Sequence, residues 1–368
     1  MREPLEVIKP QVRGLKPYTL RPDRARVKLN QNESPWDAPA AIKHETLRRI
    51  SLHHWSRYPD FVPQAFYERL AEFAGWKPEG IVAGNGSNEM IQALLMVTAG
   101  AEKRVLISEP TFLLYRHITA VLEGETLSVP LSNELTYDVA ALQEQISSAN
   151  PDVTILCSPN NPAGCVIDQT DLISLIEISR GLVVVDEAYF QFSGQSAVPL
   201  LERFANLVVL RTFSKAMGLA GLRVGYLLAA PELTREIAKA ILPGNLNVIS
   251  RTAATVAMDL YEVELKPRIE LIVRERERVY LELKAIPGLF PIRSRANFIA
   301  VRSSLRPARI YQELLQRNIL IRDVSSYPLL QDYFRLTVGT PDENDLLIEA
   351  LTEICTRERE ATPSLASV

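Results

Sequence analysis

The chain has 368 residues, of which 47% are hydrophobic and 23% charged, an ordinary composition for a globular protein that is soluble in water. This length exceeds one typical domain and predicts one large domain with a smaller one. A formal net charge of −3 gives no electrostatic reason to expect nucleic acid or a membrane surface as a partner. No apolar run approaches the roughly 18 residues that a transmembrane helix needs.

The cysteines and histidines give no sign of a metal site. Cys157, Cys165 and Cys355 are odd in number and lack CxxC spacing, and the four histidines show no ligand spacing. Scattered cysteines argue against a disulfide scaffold and favour a reducing, cytoplasmic location. The first 24 residues are charged and interrupted by prolines, so they predict an arm rather than a signal peptide.

Between residues 84 and 229, short apolar runs alternate with amphipathic helical patterns. Helices are predicted at 88–100, 111–124 and 169–180. Strands are predicted at 104–108, 125–131, 153–158, 182–186, 206–210 and 224–229. This alternation is typical of a mostly parallel sheet that is covered on both faces, in which functional side chains gather at the carboxyl ends of the strands.

The last third of the chain has a different pattern. A long helical pattern runs from about Ser250 to Ile286, and Pro267 predicts a kink or break within it. An α+β unit follows, with strands predicted at 296–302, 319–324 and 334–339 and helices at 307–317 and 342–357. We therefore predict three parts: 1–45 for an N-terminal arm with part of a small domain, 46–270 for a large domain, and 271–368 for a small C-terminal domain.

The segment RTFSKAMGLAGLRVGY, residues 211–226, carries the strongest chemical signal. Lys215 follows a predicted buried strand, where an amine loses hydration energy unless something uses it. Thr212 and Ser214 provide hydroxyls and Arg223 a guanidinium, which are the groups that a phosphate monoester needs. A lysine beside such donors predicts pyridoxal phosphate, bound to Lys215 as a Schiff base.

Two further segments follow predicted strands. VVVDEAY places Asp186 at a strand end, where its carboxylate could keep the ring nitrogen of the cofactor protonated, or could simply cap a helix. Tyr189 in the same segment could donate a hydrogen bond to the ring oxygen of the cofactor. Asn161 in SPNNPAG could do the same, although SPNNPAG also has the composition of a plain turn.

A glycine-rich turn, GNGSNEMIQ at residues 84–92, opens a predicted helix. The N–H groups of Ser87 and Asn88 could bind a phosphate with the help of the helix dipole, although helix capping alone would explain both residues. Phe112 follows another predicted strand, where it could stack on the cofactor ring or belong to the core.

SPNNPAG, VVVDEAY and TFSKAMGLAGLRVGY occur in the order that is found in fold-type I pyridoxal-phosphate enzymes, the aspartate aminotransferase superfamily, which the chain resembles over nearly its whole length. The resemblance implies an α/β fold, with a mostly parallel mixed sheet in a large domain and a smaller α+β domain. It also implies that Lys215 is the base that moves the proton at the substrate Cα. The residues that it implies around the phosphate are Ser87, Asn88, Thr212, Ser214 and Arg223. RYP, residues 57–59, resembles the segment whose tyrosine, here Tyr58, reaches the phosphate bound by the neighbouring subunit, which implies a homodimer with shared active sites.

Four other segments resemble those of histidinol-phosphate aminotransferases: KPY (16–18), LNQNESPW (29–36), IRDVSSYP (321–328) and YFRLTVGT (333–340). This resemblance implies ping-pong transamination between glutamate and imidazole-acetol phosphate, or the reverse, in histidine biosynthesis. Arg335 would bind the carboxylate of glutamate and the phosphate of histidinol phosphate in turn. Further substrate contacts would come from Tyr18, Asn32 and Arg322. The chain departs from the family at Asn88, where Asp is frequent, and at Phe112, where Tyr is frequent.

Three alternatives stay open on the sequence. A threonine-phosphate decarboxylase shares the scaffold and also needs arginines that bind phosphate. An aromatic or other amino-acid aminotransferase would not need Arg322 to face a phosphate. A cofactor-fold effector sensor attached to a DNA-binding module is disfavoured, because the region before the fold is short and the chain is not basic.

Overall fold

The computed structural model describes residues 4–17, 19 and 22–361. Its strands are Val27–Lys28 (β1), Ile81–Gly84 (β2), Arg104–Glu109 (β3), Glu125–Pro130 (β4), Val153–Cys157 (β5), Leu182–Asp186 (β6), Leu207–Thr212 (β7), Gly225–Ala229 (β8), Leu289–Pro291 (β9), Phe298–Ser303 (β10), Ile319–Leu320 (β11), Arg322–Asp323 (β12) and Tyr333–Thr337 (β13). Its α-helices are Pro10–Arg13 (α1), Ala40–Ile50 (α2), Gln64–Ala74 (α3), Ser87–Thr98 (α4), Leu114–Val121 (α5), Val139–Ala149 (α6), Gln169–Ile178 (α7), Phe190–Ser193 (α8), Pro231–Ile237 (α9), Val248–Asp259 (α10), Lys266–Ala285 (α11), Pro307–Gln316 (α12) and Pro341–Ala361 (α13).

The central sheet has seven strands in the order β2-β8-β7-β6-β5-β3-β4. β8 runs antiparallel to both of its neighbours, and the other pairs are parallel, so the predicted mostly parallel mixed sheet is confirmed. The register pairs Cys157 with Asp186 and Asp186 with Leu210. The carboxyl ends of β5, β6 and β7 therefore lie side by side.

Both faces of this sheet are covered, as the continuous apolar strands predict. Successive residues of β6 point to opposite faces, so Val183 and Val185 pack into one buried cluster and Val184 into another. β7 repeats the pattern, with Val209 in the first cluster and Val208 in the second. This two-sided burial fixes the register of the strands that carry the candidate site.

A second, smaller unit of sheet lies toward the end of the chain. β12, β13, β10 and β9 form an antiparallel sheet in that order, and β1 pairs in parallel with β11. Val27 and Leu29 share a buried cluster with Leu336 and with Leu283 of α11. The N-terminal segment thus packs with the C-terminal α+β unit, and the division of the chain into domains at residues 45 and 270 stays a prediction.

The long helical pattern predicted for 250–286 is interrupted. α10 ends at Asp259, a π-helical turn spans Tyr261–Leu265, and α11 begins at Lys266 with Pro267 in its first turn. A proline is tolerated there because the first N–H groups of a helix have no partner within the helix. The predicted break at Pro267 is confirmed. Within the part of the chain that the structure describes, no helix has both the length and the apolar character that crossing a membrane requires.

Candidate active site

A cavity of about 310 Å³ opens at the carboxyl ends of β5, β6 and β7. Its lining includes the predicted residues Asn32, Ser87, Asn88, Phe112, Asn161, Asp186, Tyr189, Thr212, Ser214, Lys215, Arg223, Arg322 and Arg335. These predicted residues come from segments up to 303 positions apart, from Asn32 to Arg335. The fold therefore brings together nearly the whole predicted constellation.

One end of the cavity has the donors that a phosphate needs. Thr212 Oγ1 lies 3.0 Å from Ser214 Oγ, and Arg223 Nη1 donates to Ser214 Oγ at 3.0 Å. Ser214 accepts both bonds, so its own hydrogen is left for another acceptor. Ser87 and Asn88 begin α4, whose N-terminus has no side-chain cap. Such a helix start presents N–H groups and a positive dipole end to an anion.

Two glycines at the phosphate end of the cavity stand where any larger residue would collide with its neighbours. A Cβ on Gly86, whose φ is +81°, would lie 2.4 Å from Arg223 Nη2, and one on Gly225 would lie 2.2 Å from the Ser87 nitrogen. The close approach keeps the guanidinium of Arg223 and the start of α4 together around one small space. The residues present therefore fit the phosphate of pyridoxal phosphate.

Asp186 is the single carboxylate among the described residues that line the cavity, and it is 3% exposed. Tyr115 Oη donates to Asp186 Oδ2 at 2.6 Å, and the Ala188 N–H donates to Oδ1 at 3.0 Å. Burial raises the pKa of Asp186 to about 6, while the Tyr115 hydroxyl and the Ala188 N–H act in the opposite direction. A buried carboxylate held in this way can accept a hydrogen bond from a protonated ring nitrogen.

Lys215 follows β7, and its Nζ donates to the carbonyl oxygen of Gln31 at 2.9 Å. Burial, together with the positive charge of Arg335, lowers the pKa of Lys215 to about 8. Its amine is thus neutral in a sizeable fraction of molecules at mildly alkaline pH. A neutral amine is the form that attacks a carbonyl and that accepts a proton.

Arg335 contacts both Asn161 and the N-terminal segment at Asn30. Its Nη1 donates to Asn161 Oδ1 at 2.5 Å, and its Nη2 donates to the carbonyl oxygen of Asn30 at 2.9 Å. Because the oxygen of the Asn161 amide is engaged, its NH₂ group is the part left to donate to a ligand. Across the antiparallel pair β12–β13, Arg335 lies directly opposite Arg322.

The charges of the lining are unbalanced in favour of an anion. Among the described residues, four cationic side chains, Lys215, Arg223, Arg322 and Arg335, line the cavity together with one carboxylate, Asp186. Among the described residues, Arg322 has no carboxylate within ion-pair distance. Cations that converge on one cavity are stabilised by a bound anion.

Tyr58 and Tyr18 are the remaining predicted residues. Tyr58 is 91% exposed and does not line the cavity of its own chain. Tyr18 lies outside the described residues, so its predicted substrate contact stays a prediction.

The sequence did not reveal several residues of the site. Tyr115 holds Asp186 from α5, but nothing in the sequence distinguishes it from a core tyrosine. Gln31 acts through its backbone oxygen, for which residue type carries no signal. Asn30, Cys157, Ala188 and Tyr327 also line the cavity, and all but Cys157 belong to motifs that we compared with the aminotransferases.

The sheet, the lysine after its strand and the phosphate cradle define a pyridoxal-phosphate enzyme of fold type I. Residues 24–351 match the family model described as "Aminotransferase class I and II". The chain belongs to the class I and II aminotransferases, and its cofactor is pyridoxal phosphate.

Within this family, the chain is similar to relatives that are named histidinol-phosphate aminotransferases. The chain is 39% identical to the histidinol-phosphate aminotransferase of Chlorobium phaeobacteroides, over 96% of this chain and 98% of that protein. It is 40% identical to histidinol-phosphate aminotransferase 1 of Carboxydothermus hydrogenoformans, over 92% and 96% of the two chains.

Solved structures agree on the fold. The histidinol-phosphate aminotransferase of Sinorhizobium meliloti in complex with pyridoxal-5'-phosphate has a TM-score of 0.85 and 25% identity, with 95% of this chain and 97% of that chain covered. The L-threonine-O-3-phosphate decarboxylase of Porphyromonas gingivalis has a TM-score of 0.78 and 23% identity, with 90% and 99% covered. At 23% identity, the similarity to the decarboxylase is evidence for a shared fold only.

Proposed function

We propose that this aminotransferase transfers the amino group between L-histidinol phosphate and 2-oxoglutarate, with imidazole-acetol phosphate and glutamate as the other products, in histidine biosynthesis. The observation that carries the proposal is the cross-strand pair Arg322 and Arg335 at the cavity. The names of the curated relatives favour the same reaction.

The arginine pair suits substrates that carry a fixed anion. Like charges directly opposite each other in a sheet repel, so an anion between Arg322 and Arg335 would stabilise the pair. Arg335 is 7% exposed and Arg322 is half-buried. Arg335 therefore fits the anion that both substrates share, the carboxylate of glutamate or the phosphate of histidinol phosphate, and Arg322 fits an additional phosphate contact.

The bound cofactor supplies an electron sink for the negative charge left at the substrate Cα. Lys215 would move the proton at the substrate Cα, because its pKa, lowered to about 8, leaves part of its amine neutral and able to accept that proton. The carbonyl oxygen of Gln31 orients Nζ through a bond of 2.9 Å. Asp186, supported by Tyr115, keeps a proton on the ring nitrogen.

We also propose a homodimer in which Tyr58 reaches the phosphate site of the partner subunit. Tyr58 lies in a segment rich in exposed apolar side chains, with Leu52 75%, Trp55 72%, Phe61 64% and Val62 72% exposed. A soluble monomer rarely exposes so many large apolar groups together, so a second copy is a suitable cover. Among the described residues no disulfide joins the three cysteines, which suits the cytoplasmic location that we propose.

The half-reaction tests the substrate assignment. Holoenzyme mixed with L-histidinol phosphate should convert the cofactor to its amine form, followed by absorbance, and 2-oxoglutarate should restore the starting spectrum. L-Histidinol, which lacks the phosphate, is the matched control substrate and should react at a concentration at least about tenfold higher, because it loses an ion-paired phosphate contact. Equal reactivity of the two amines would overturn the proposed substrate.

Variants of the two arginines distinguish binding of the glutamate carboxylate from binding of the substrate phosphate. Arg335→Leu should weaken both glutamate and histidinol phosphate. Arg322→Leu should raise the KM for histidinol phosphate about tenfold or more and leave the KM for glutamate nearly unchanged, because it removes one charge-assisted contact to the phosphate alone. Release of carbon dioxide from threonine phosphate, without amine transfer, would instead favour the decarboxylase.

Mixed dimers test the shared site. Lys215→Ala subunits and Tyr58→Phe subunits, each impaired when pure, should form hybrids with one active site that has both native residues. A mixture with no more cofactor affinity or activity than the two pure variants would argue against a Tyr58 contact across the interface.

A further inference from the structure

Three consecutive residues, Asn30 to Asn32, each contact a side chain of the active site. The carbonyl oxygen of Asn30 accepts from Arg335 Nη2 at 2.9 Å, and that of Gln31 accepts from Lys215 Nζ at 2.9 Å. The side chain of Asn32 donates from Nδ2 to Tyr189 Oη at 3.0 Å. The position of this short segment therefore bears on the residues that we place at both the cofactor and the substrate.

Asn32 is held in an unusual conformation. Its φ is +55°, a left-handed value that asparagine adopts more readily than most residues other than glycine. The N–H of Asn32 donates to Thr337 Oγ1 at 2.9 Å, and Asn297 Nδ2 donates to its carbonyl oxygen at 3.1 Å. Asn32 is 1% exposed, so these bonds lie in the interior and fix both the backbone and the side chain.

The surrounding bonds also decide which way the Asn32 amide faces. Thr337 Oγ1 accepts from the Asn32 N–H, and its single hydrogen points to Asn32 Oδ1 at 3.3 Å. The oxygen of the amide therefore faces Thr337, and the NH₂ group faces Tyr189.

This orientation constrains the hydroxyl of Tyr189. Its oxygen accepts from Asn32, so its hydrogen points away from Asn32. Tyr189 is 3% exposed and lines the cavity, and among the described residues its hydrogen has no acceptor. A buried donor without an acceptor is costly, so the site is built for a ligand oxygen at this point.

We propose that Asn32 is a positioning residue whose amide fixes the Tyr189 hydroxyl as a donor to the ring oxygen of the cofactor, and that it acts through Tyr189 rather than on the substrate. A donor at the ring oxygen stabilises its negative charge. The oxygen then holds the shared proton of the linkage between Lys215 and the cofactor less tightly. The inference rests on the cofactor and is independent of the proposed substrate.

Asn32→Asp is the sharpest variant. Aspartate keeps the shape and tolerates the left-handed backbone, but it replaces the NH₂ donor by an acceptor, so the Tyr189 hydrogen turns to the new carboxylate and leaves the cofactor. The visible absorption of the holoenzyme, titrated with pH in the absence of substrate, reports the protonation of the linkage. We expect its midpoint to rise by about one to two pH units, the effect of one hydrogen bond to a charged oxygen. Titration of the apoprotein with pyridoxal phosphate should show about tenfold weaker binding.

A double-mutant cycle decides whether the effect passes through Tyr189. Tyr189→Phe alone should raise the midpoint in the same direction, and adding Asn32→Asp to it should cause no further shift. An equal additional shift in the Tyr189→Phe background would overturn the proposal. So would an unchanged midpoint in Asn32→Asp with a raised KM for substrate, since that result assigns Asn32 to substrate binding.

Asn32→Gly covers the case in which the aspartate variant does not fold, as judged from the thermal unfolding of the apoprotein. Glycine keeps the left-handed backbone and removes the amide. Without its partner the Tyr189 hydroxyl is free to rotate, so we expect a smaller upward shift of the same midpoint. No shift in this variant would refute the role of the amide. Because the absorbance midpoints and the cofactor titrations are taken without substrate, a negative result in them leaves the proposed reaction untouched.

Discussion

The hydrogen bond from Tyr115 to Asp186 gives a prediction whose size follows from the structure. Tyr115→Phe removes one hydroxyl and leaves a ring of the same shape in a fully buried position. The lost bond is 2.6 Å long and ends on a carboxylate oxygen. The carboxylate that loses it is the one that we place at the ring nitrogen of the cofactor.

The magnitude comes from the charged form of Asp186. A hydrogen bond to a charged group contributes about 1.5–3 kcal/mol, which corresponds to about one to two pKa units. The pKa of Asp186, already raised by burial to about 6, should therefore rise further to about 7 or 8. Its ionised fraction at pH 7 should fall from about nine-tenths to between about one-half and one-tenth.

The assay is the pH dependence of kcat/KM. Its acid limb should move to higher pH by about one to two units in Tyr115→Phe, with a loss of about two- to tenfold at pH 7 and recovery toward pH 9. Tyr311→Phe is the matched control, since the Tyr311 hydroxyl also bonds an aspartate, Asp23, at 2.6 Å but does not line the cavity. An acid limb that stays in place in Tyr115→Phe, with the protein folded, would refute the reasoning.

Three other changes have expected outcomes. Lys215→Met should stabilise the apoprotein by up to about 3 kcal/mol at neutral pH, because the pKa of Lys215 is about 8 in the folded protein and 10.5 ordinarily. The destabilisation caused by the buried charged amine is fully present below pH 8 and is lost as pH rises toward 10.5. Chemical denaturation at several pH values measures this difference in stability. Gly86→Ala should weaken binding of pyridoxal phosphate at least about tenfold, since its Cβ would collide with Arg223 Nη2 and displace a phosphate donor; titration of the apoprotein measures it. Glu187→Gln should lower the free energy of unfolding by about 3–5 kcal/mol, because it leaves Arg211, 5% exposed, without its buried partner; urea denaturation measures it.

The same chain offers a control for each of these changes. Lys239→Met removes an exposed lysine and should leave the pH dependence of stability as it is. Gly75 has a similar positive φ, +73°, and its new Cβ would have nothing within 4 Å, so Gly75→Ala isolates backbone strain from the collision at Gly86. Glu202→Gln breaks an exposed ion pair with Lys77 and should change stability very little. If a control matches its variant, the corresponding explanation is wrong.

Most strands of the large sheet could be predicted from the sequence because they are buried on both faces. The strand Leu182–Asp186 is apolar up to its final aspartate, a pattern that is typical of a strand buried on both faces, and its predicted and observed bounds agree. β2 was missed because Ile81–Gly84 is four residues long and merges into the glycine-rich turn. β11 and β12 were predicted as one strand, because their local pattern does not show that Ile319–Leu320 pairs with β1 and Arg322–Asp323 with β13.

The sequence by itself determined the chemistry that is local to strand ends: Lys215 after β7, Asp186 at the end of β6, and the hydroxyls and glycines that frame a phosphate. Those signals survive in sequence because each depends on residue type within a few positions of a recognisable apolar strand. Tertiary structure alone decided which distant groups face them. The carbonyl of Gln31 reaches Lys215, the hydroxyl of Tyr115 reaches Asp186, and Arg322 lies opposite Arg335. These contacts depend on strand pairing and on backbone atoms that every residue has, so no pattern in the sequence could reveal them.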